Sequence, residues 1–143
     1  MNKLISFFAI FLFIFCEEKV KPIILNKKLD FISITKPNKE IETILRNSCY
    51  DCHSLETKYP SYANYFPISL IINRHINTGR EYINFSEWAN YNADSKKTII
   101  ENSINQIEIN KMPMASYKLL HQEANLNKKQ KEALINWFRL EKY

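Results

Sequence analysis

The scarcity of glycine is the feature that most narrows the folds open to this chain. Its 143 residues contain one glycine, Gly79, and five prolines. Tight β-hairpin turns rely on glycine for positive φ angles, so a hairpin-rich β fold is a poor match for this composition. Helices joined by Asn-rich and Pro-containing loops need few such positions. Because the length suits one small domain, the sequence predicts a single all-α domain.

Apolar residues recur with helical spacing from Asn38 onwards. The clearest run sets Ile41, Ile44, Leu45 and Ser48 on one face, behind a capping residue at Asn38. Further helices are predicted from near Pro67 to Gly79, from Asp94 or Ser95 to a break at Pro113, and from Asn127, which has Gln130 at capping-box spacing.

The N-terminus has the composition of an export signal. Lys3 precedes residues 4–16, LISFFAIFLFIFC, which carry no charge and are too short for a comfortable membrane span. Cys16 lies where a lipoprotein signal has its lipid-modified cysteine. We predict export to the periplasm or cell envelope, with lipidation of Cys16, ordinary signal cleavage and an uncleaved anchor all left open. The chain then divides into a signal (1–16), a tether with one short ordered segment that packs on the domain (17–37) and a domain (38–143).

Cys49, Cys52 and His53 spell Cys-x-x-Cys-His, the motif that carries most of the chemistry. Two thiols at this spacing can add to the two vinyl groups of a haem, and the adjacent imidazole can bind its iron. A zinc site would need a fourth ligand, and no second CxxC exists. A thioredoxin-like dithiol would need a strand before the motif, where a helix is predicted. Apart from a structural disulfide or idle thiols, covalently attached haem c is the remaining interpretation, and export favours it.

A haem bound by His53 has a second axial position on its iron. The candidates are Met112, Met114, His75 and His121. Thioether sulfur suits haem iron, and Met112 lies in a proline-stiffened loop behind a helix, so we favour it over the others. Ordinary core packing is the alternative for both methionines.

The haem faces need apolar walls and its propionates need hydrogen-bond donors. We expect walls from Tyr59, Tyr62, Tyr65, Phe66, Ile71 and Trp88. We expect donors from Arg74 and Arg80, for which solvated arginines are the alternative.

Five blocks in a fixed order carry a family resemblance. They are NSCYDCHS, YPSYANYFPISLII, GREYINFSEW, KMPMASYKLLHQEANL and a terminal LINWF. On these blocks the chain resembles the bacterial haem-binding domain family of small c-type cytochromes, over roughly residues 38–140. The resemblance implies a small helical domain around covalent haem, with thioethers from Cys49 and Cys52, His53 as the proximal iron ligand and Met112 as the distal one.

These features predict an exported mono-haem c-type cytochrome that passes single electrons and makes or breaks no substrate bond. Its expected partners are redox proteins and, through a lipid anchor, a membrane, and the chain is expected to be monomeric. A haem-based sensor or small-ligand binder is the alternative, followed by a thiol–disulfide oxidoreductase. Nucleic-acid binding is not expected, because the net charge of +5 comes from interspersed residues without a basic run.

Overall fold

The computed structural model describes residues 25–141, and this part of the chain is helical without any β-strand. The α-helices are α1 (Phe31–Thr35), α2 (Lys39–Ser48), α3 (Tyr50–His53), α4 (Ile68–Tyr82), α5 (Ala93–Glu108), α6 (Ala115–Leu120) and α7 (Lys128–Leu140). Short 3₁₀ turns lie at Lys27–Leu29, Ser61–Asn64, Phe85–Asn90 and Gln122–Ala124. The predicted all-α class is confirmed. Within residues 25–141, no helix has the length and apolar content to cross a membrane.

The predicted N-terminal signal and Cys16 lie outside the described residues. Residues 25–37, the described part of the predicted tether, include α1, which packs against the domain. Phe31 of α1 is fully buried, and its ring lies 4.9 Å from Phe85, 4.7 Å from Trp88 and 5.7 Å from Trp137. Aromatic rings at these distances contribute to the core beyond their buried area. The core therefore begins before residue 38, the predicted start of the domain, because α1 supplies one of its central rings.

Helix α2 leads into the cysteine motif and forms as its sequence predicts. The Asn38 side chain accepts a hydrogen bond from the Ile41 N–H at 2.9 Å, which caps the helix. Its buried residues are Ile41, Ile44, Leu45 and Ser48, the face that the spacing indicated. Helix α7 packs against α2 and begins at the predicted capping box of Asn127 and Gln130.

Three predicted helix boundaries are wrong. Helix α4 continues through Gly79 to Tyr82, so Gly79 does not end the helix. Its missing side chain is instead needed for close packing against α3. Helix α5 begins at Ala93, one or two residues before the predicted start, because the Asn92 side chain accepts from the Ser95 N–H at 2.8 Å and caps it. It ends at Glu108, before the predicted break at Pro113.

Tyr50, the first residue inside the cysteine motif, joins α3 to the core through its hydroxyl. The hydroxyl donates to Asp30 Oδ2 at 3.0 Å and accepts from the Ile32 N–H at 3.2 Å. Asp30 and Tyr50 are 3% and 2% exposed, so water cannot replace either bond. We expect Tyr50→Phe to lower the free energy of unfolding by about 2–3 kcal/mol, because it leaves a buried carboxylate oxygen and an amide without partners.

Urea unfolding followed by circular dichroism measures this change. Tyr65→Phe is the matched control, since Tyr65 is 67% exposed and its loss of a hydroxyl should leave the midpoint within experimental error. Equal midpoints for the two variants would contradict a structural role for the Tyr50 hydroxyl.

Candidate haem site

The two thiols and the imidazole of the motif lie on one helical turn. Helix α2 ends at Ser48, and Cys49 leaves helical geometry with φ −130° and ψ −44°. The N–H groups of Cys52 and His53 then donate to the Cys49 carbonyl at 3.2 and 3.0 Å. Residues three and four apart are neighbours on a helix surface. The turn therefore places Cys49, Cys52 and His53 next to one another, and His53 lines one cavity with each cysteine.

The hydrogen bonds of His53 determine its tautomer. Its Nδ1 lies 2.8 Å from the Gly79 carbonyl oxygen and 3.3 Å from the Ile83 carbonyl oxygen. Since carbonyl oxygens only accept, Nδ1 carries the proton and donates it, which leaves the Nε2 lone pair available to a metal. Burial lowers the pKa of His53, against smaller opposite effects of these two hydrogen bonds, and so favours the neutral ring.

Gly79 allows α3 to approach α4 closely enough for this contact. A Cβ atom at this position would lie 2.7 Å from the Cys52 carbonyl oxygen, nearer than real Cβ atoms come to any neighbour. The obstructing atom belongs to the backbone of the motif and cannot turn away as a side-chain end can. The one glycine of the sequence therefore serves helix packing at the site.

Arg80 holds the segment that follows the motif. Its Nε donates to the Ser54 carbonyl at 2.8 Å, and its terminal NH2 group donates to Thr57 Oγ1 at 2.9 Å. Two nitrogens of its guanidinium are thus engaged in the packing of residues 54–57, and a hydrogen bond from Arg80 to a haem propionate stays a prediction. Arg74, the other expected donor, is exposed and lines a cavity beside His53.

Two neighbouring cavities of about 290 and 470 Å³ adjoin the motif. His53, Tyr82 and Met112 line both of them, while Cys52 lines the smaller and Cys49 the larger. Cofactor sites in proteins usually enclose about 300–1,000 Å³. The structure thus brings together the four site residues that the sequence predicts, Cys49, Cys52, His53 and Met112, around space of the size that a cofactor needs.

The loop that carries Met112 is held at both ends. The Lys111 and Met112 N–H groups donate to the Gln106 carbonyl at the end of α5, at 3.0 and 3.1 Å. On the other side, the Tyr117 hydroxyl of α6 donates to Asp51 Oδ2 at 2.7 Å, inside the cysteine motif. These bonds fix the position of Met112 relative to the motif.

The other candidates for a distal ligand are less well positioned. Met114 and His75 line the smaller of the two cavities, and His121 lines a separate groove. The His121 ring stacks on Tyr117 at 4.1 Å, with Nε2 3.3 Å from the Tyr62 hydroxyl and Nδ1 3.3 Å from Glu123. Both nitrogens of His121, which follows directly on α6, therefore have protein partners.

The walls of the cavities differ from those expected. The larger cavity has apolar walls at Ile83, Phe85, Ile99 and Phe138 and polar walls at Asn102, Ser103 and Gln106. Trp88 lies in the core, Tyr65 and Phe66 are exposed, and Tyr59, Tyr62 and Ile71 line the neighbouring groove. Ile99 comes to the motif from α5, which packs against α7.

The thiols are in an environment that favours their protonated form. Burial, with a further contribution from Cys52, raises the pKa of Cys49 to about 12. Burial also raises the pKa of Cys52, assisted by Asp51 and opposed by Arg80. Dithiol oxidoreductases need a lowered thiol pKa, and zinc needs thiolates. Among residues 25–141 there is also no group of three His, Cys, Asp or Glu residues that could hold a metal ion.

Comparison with protein families identifies the chain. The model of the haem-binding domain family matches residues 6–140, nearly the whole sequence. The chain belongs to the haem-binding domain family. No curated protein and no solved structure gives a match. The site suits a haem-binding domain, since apolar side chains form part of its cavity walls and His53 is neutral with one nitrogen available to iron.

Proposed function

We propose that this haem-binding domain is an exported mono-haem c-type cytochrome that carries single electrons. Cys49 and Cys52 would hold the haem through thioether bonds, with His53 and Met112 as its axial iron ligands. The supporting observation is that His53 and Met112 line the same two cavities, each of which also reaches one of the two cysteines. When bound, the haem supplies a one-electron Fe(II)/Fe(III) couple.

The protein's own residues tune and shield such a centre. The Gly79 carbonyl accepts from His53 Nδ1–H, which holds the ring in one orientation and makes Nε2 a better donor to a metal. Apolar side chains of Phe85, Ile99 and Phe138 would supply apolar contacts to a haem in the larger cavity. A thioether ligand from Met112 would favour the reduced state and raise the reduction potential.

The fixed position of Met112 favours an electron carrier over a sensor of small ligands. A sensor needs an iron position that a diatomic gas can occupy, either because the position is open or because its ligand leaves. The hydrogen bonds from Lys111, Met112 and Tyr117 tie the loop to α5 and to the motif, which makes release of the thioether costly. An electron-transfer protein is better served by a strong sixth ligand that stays on the iron.

Export and anchoring are part of the proposal. Covalent attachment of haem to CxxCH takes place after a chain has crossed a membrane, and the apolar residues 4–16 behind Lys3 are suited to direct that crossing. Lipidation of Cys16 would then tether the domain to the membrane.

Carbon monoxide and a redox titration test the function together. We expect the reduced holoprotein to keep its absorption spectrum under carbon monoxide, and to follow a reversible one-electron titration curve. Immediate stoichiometric binding of carbon monoxide by the wild-type protein would contradict electron carriage and favour the sensor.

A further inference from the structure

A row of polar side chains on helix α5 lines the larger cavity beside the motif. The row consists of Asn102, Ser103 and Gln106, and the same cavity has apolar walls at Phe85 and Phe138. Asn102 and Gln106 are four residues apart, so they lie on one face of the helix. In sites for largely apolar ligands, a few polar groups of this kind usually fix the orientation of the ligand.

Two of the three polar side chains have donors to spare. The Ser103 hydroxyl donates to the Ile99 carbonyl at 2.8 Å, one turn earlier on the same helix. The side-chain amides of Asn102 and Gln106 make no hydrogen bond within residues 25–141. Each amide therefore has two N–H donors for a molecule that occupies the cavity.

The substituents of a haem indicate which of its groups would meet these amides. A haem has its two vinyl groups on one edge and its two propionates on the opposite edge, so each half carries one of each. His53 and Met112, the proposed axial ligands, line both cavities, while Cys49 lines the larger and Cys52 the smaller. The half of the haem attached to Cys49 would therefore occupy the larger cavity together with one propionate.

We propose that the side-chain amides of Asn102 and Gln106 donate hydrogen bonds to this propionate. The inference rests on the proposed attachment of haem through Cys49 and Cys52. An ionised carboxylate only accepts hydrogen bonds, and beside apolar walls it needs donors from the protein. The other propionate would accompany Cys52 in the smaller cavity, whose lining includes Arg74, a predicted propionate donor.

These hydrogen bonds would affect the iron as well as the position of the haem. The negative charge of a propionate favours Fe(III), and amide donors weaken that effect because their N–H groups carry partial positive charge. The Gln106 backbone carbonyl also accepts from the Met112 N–H at 3.1 Å. Gln106 would thus connect the loop of the distal ligand to one propionate of the haem.

Leucine substitutions and resonance Raman spectroscopy test this assignment. Asn102→Leu and Gln106→Leu remove the amide donors while keeping a side chain of similar size, and the backbone carbonyl at position 106 is retained. Asn105→Leu is the matched control, because Asn105 is exposed on the same helix and lines neither cavity. Each full-length variant is produced with a c-type haem assembly system, and the frequency of the propionate bending bands is recorded.

We expect one propionate band to shift to lower frequency in Asn102→Leu and in Gln106→Leu, with a lower reduction potential in each. Neither change is expected in Asn105→Leu. Unchanged bands in both cavity variants would overturn the assignment and show that water solvates the amides. Loss of the far-red absorption band of a Met–Fe(III) bond in Gln106→Leu, with unchanged propionate bands, would also overturn it, since the amide would then support the Met112 sulfur.

The parent protein separates these results from a failure of the proposed function. A parent chain without covalent haem would contradict the proposed cytochrome itself. A parent chain with covalent haem, together with cavity variants whose propionate bands do not shift, would contradict the propionate assignment alone.

Discussion

We expect Gly79→Ala, which adds one methyl group, to lose most of its covalent haem and to unfold at a lower temperature than the wild-type domain. The new Cβ would lie 2.7 Å from the Cys52 carbonyl oxygen, so α3 and α4 would have to separate. Overpacking of this kind costs about 3 kcal/mol when backbone must move. Separation would also lengthen the bond from His53 Nδ1 to the Gly79 carbonyl and misplace the imidazole. We expect little covalent haem in the variant and a clearly lower thermal midpoint.

Asn77→Ala is the matched control for this prediction. Asn77 lies two residues earlier on α4 and is exposed, so alanine there should leave haem yield unchanged and stability equal or slightly higher. Haem content per protein, measured by absorbance, and thermal unfolding compare the two. A Gly79→Ala protein with wild-type haem content and midpoint would show that the helices are not held as closely as described.

Met112→Ala is expected to change the iron environment while leaving the haem attached. Without the thioether, the oxidised protein should lose the weak far-red absorption band that marks a Met–Fe(III) bond, and its reduction potential should fall. The reduced variant should bind carbon monoxide, which the wild-type protein is expected to exclude. Absorption spectroscopy of both redox states measures these changes.

Met114→Ala is the control within the same loop. Met114 lines the smaller cavity but not the larger one, so its loss should leave the far-red band in place. If the band survived in Met112→Ala and disappeared in Met114→Ala, Met114 would be the distal ligand. If neither variant lost it, the band would have another origin and the ligand assignment would be wrong.

Local features of the sequence predicted the helices whose signals are local. The face of α2 and the caps at Asn38 and Asn127 depend on residues within one or two turns, and the structure has them as predicted. The motif and its spacing likewise depend on one helical turn. The position of Met112 in a loop before Pro113 followed from the same kind of reasoning.

Contacts between segments that are far apart in sequence could not be predicted from these local patterns. The role of Gly79 depends on where α3 crosses α4, and a glycine near the end of a helix pattern is equally typical of a helix terminus. The cavity walls at Phe85 and Phe138 come from segments far apart in sequence, while nearby aromatics such as Tyr65 remain outside. The apolar stretch around Phe31 predicted a short ordered segment packing on the domain, but its partners Phe85, Trp88 and Trp137 are distant in sequence and only the structure shows them.

The mass of the denatured protein tests covalent haem attachment most directly. The full-length chain would be produced with a c-type haem assembly system, together with a Cys49→Ser/Cys52→Ser variant, and both would be extracted with acidified acetone before mass spectrometry. We expect the wild-type chain to retain the mass of one haem and the double variant to retain none. A wild-type chain with the unmodified mass, after extraction of all its haem, would contradict a c-type cytochrome.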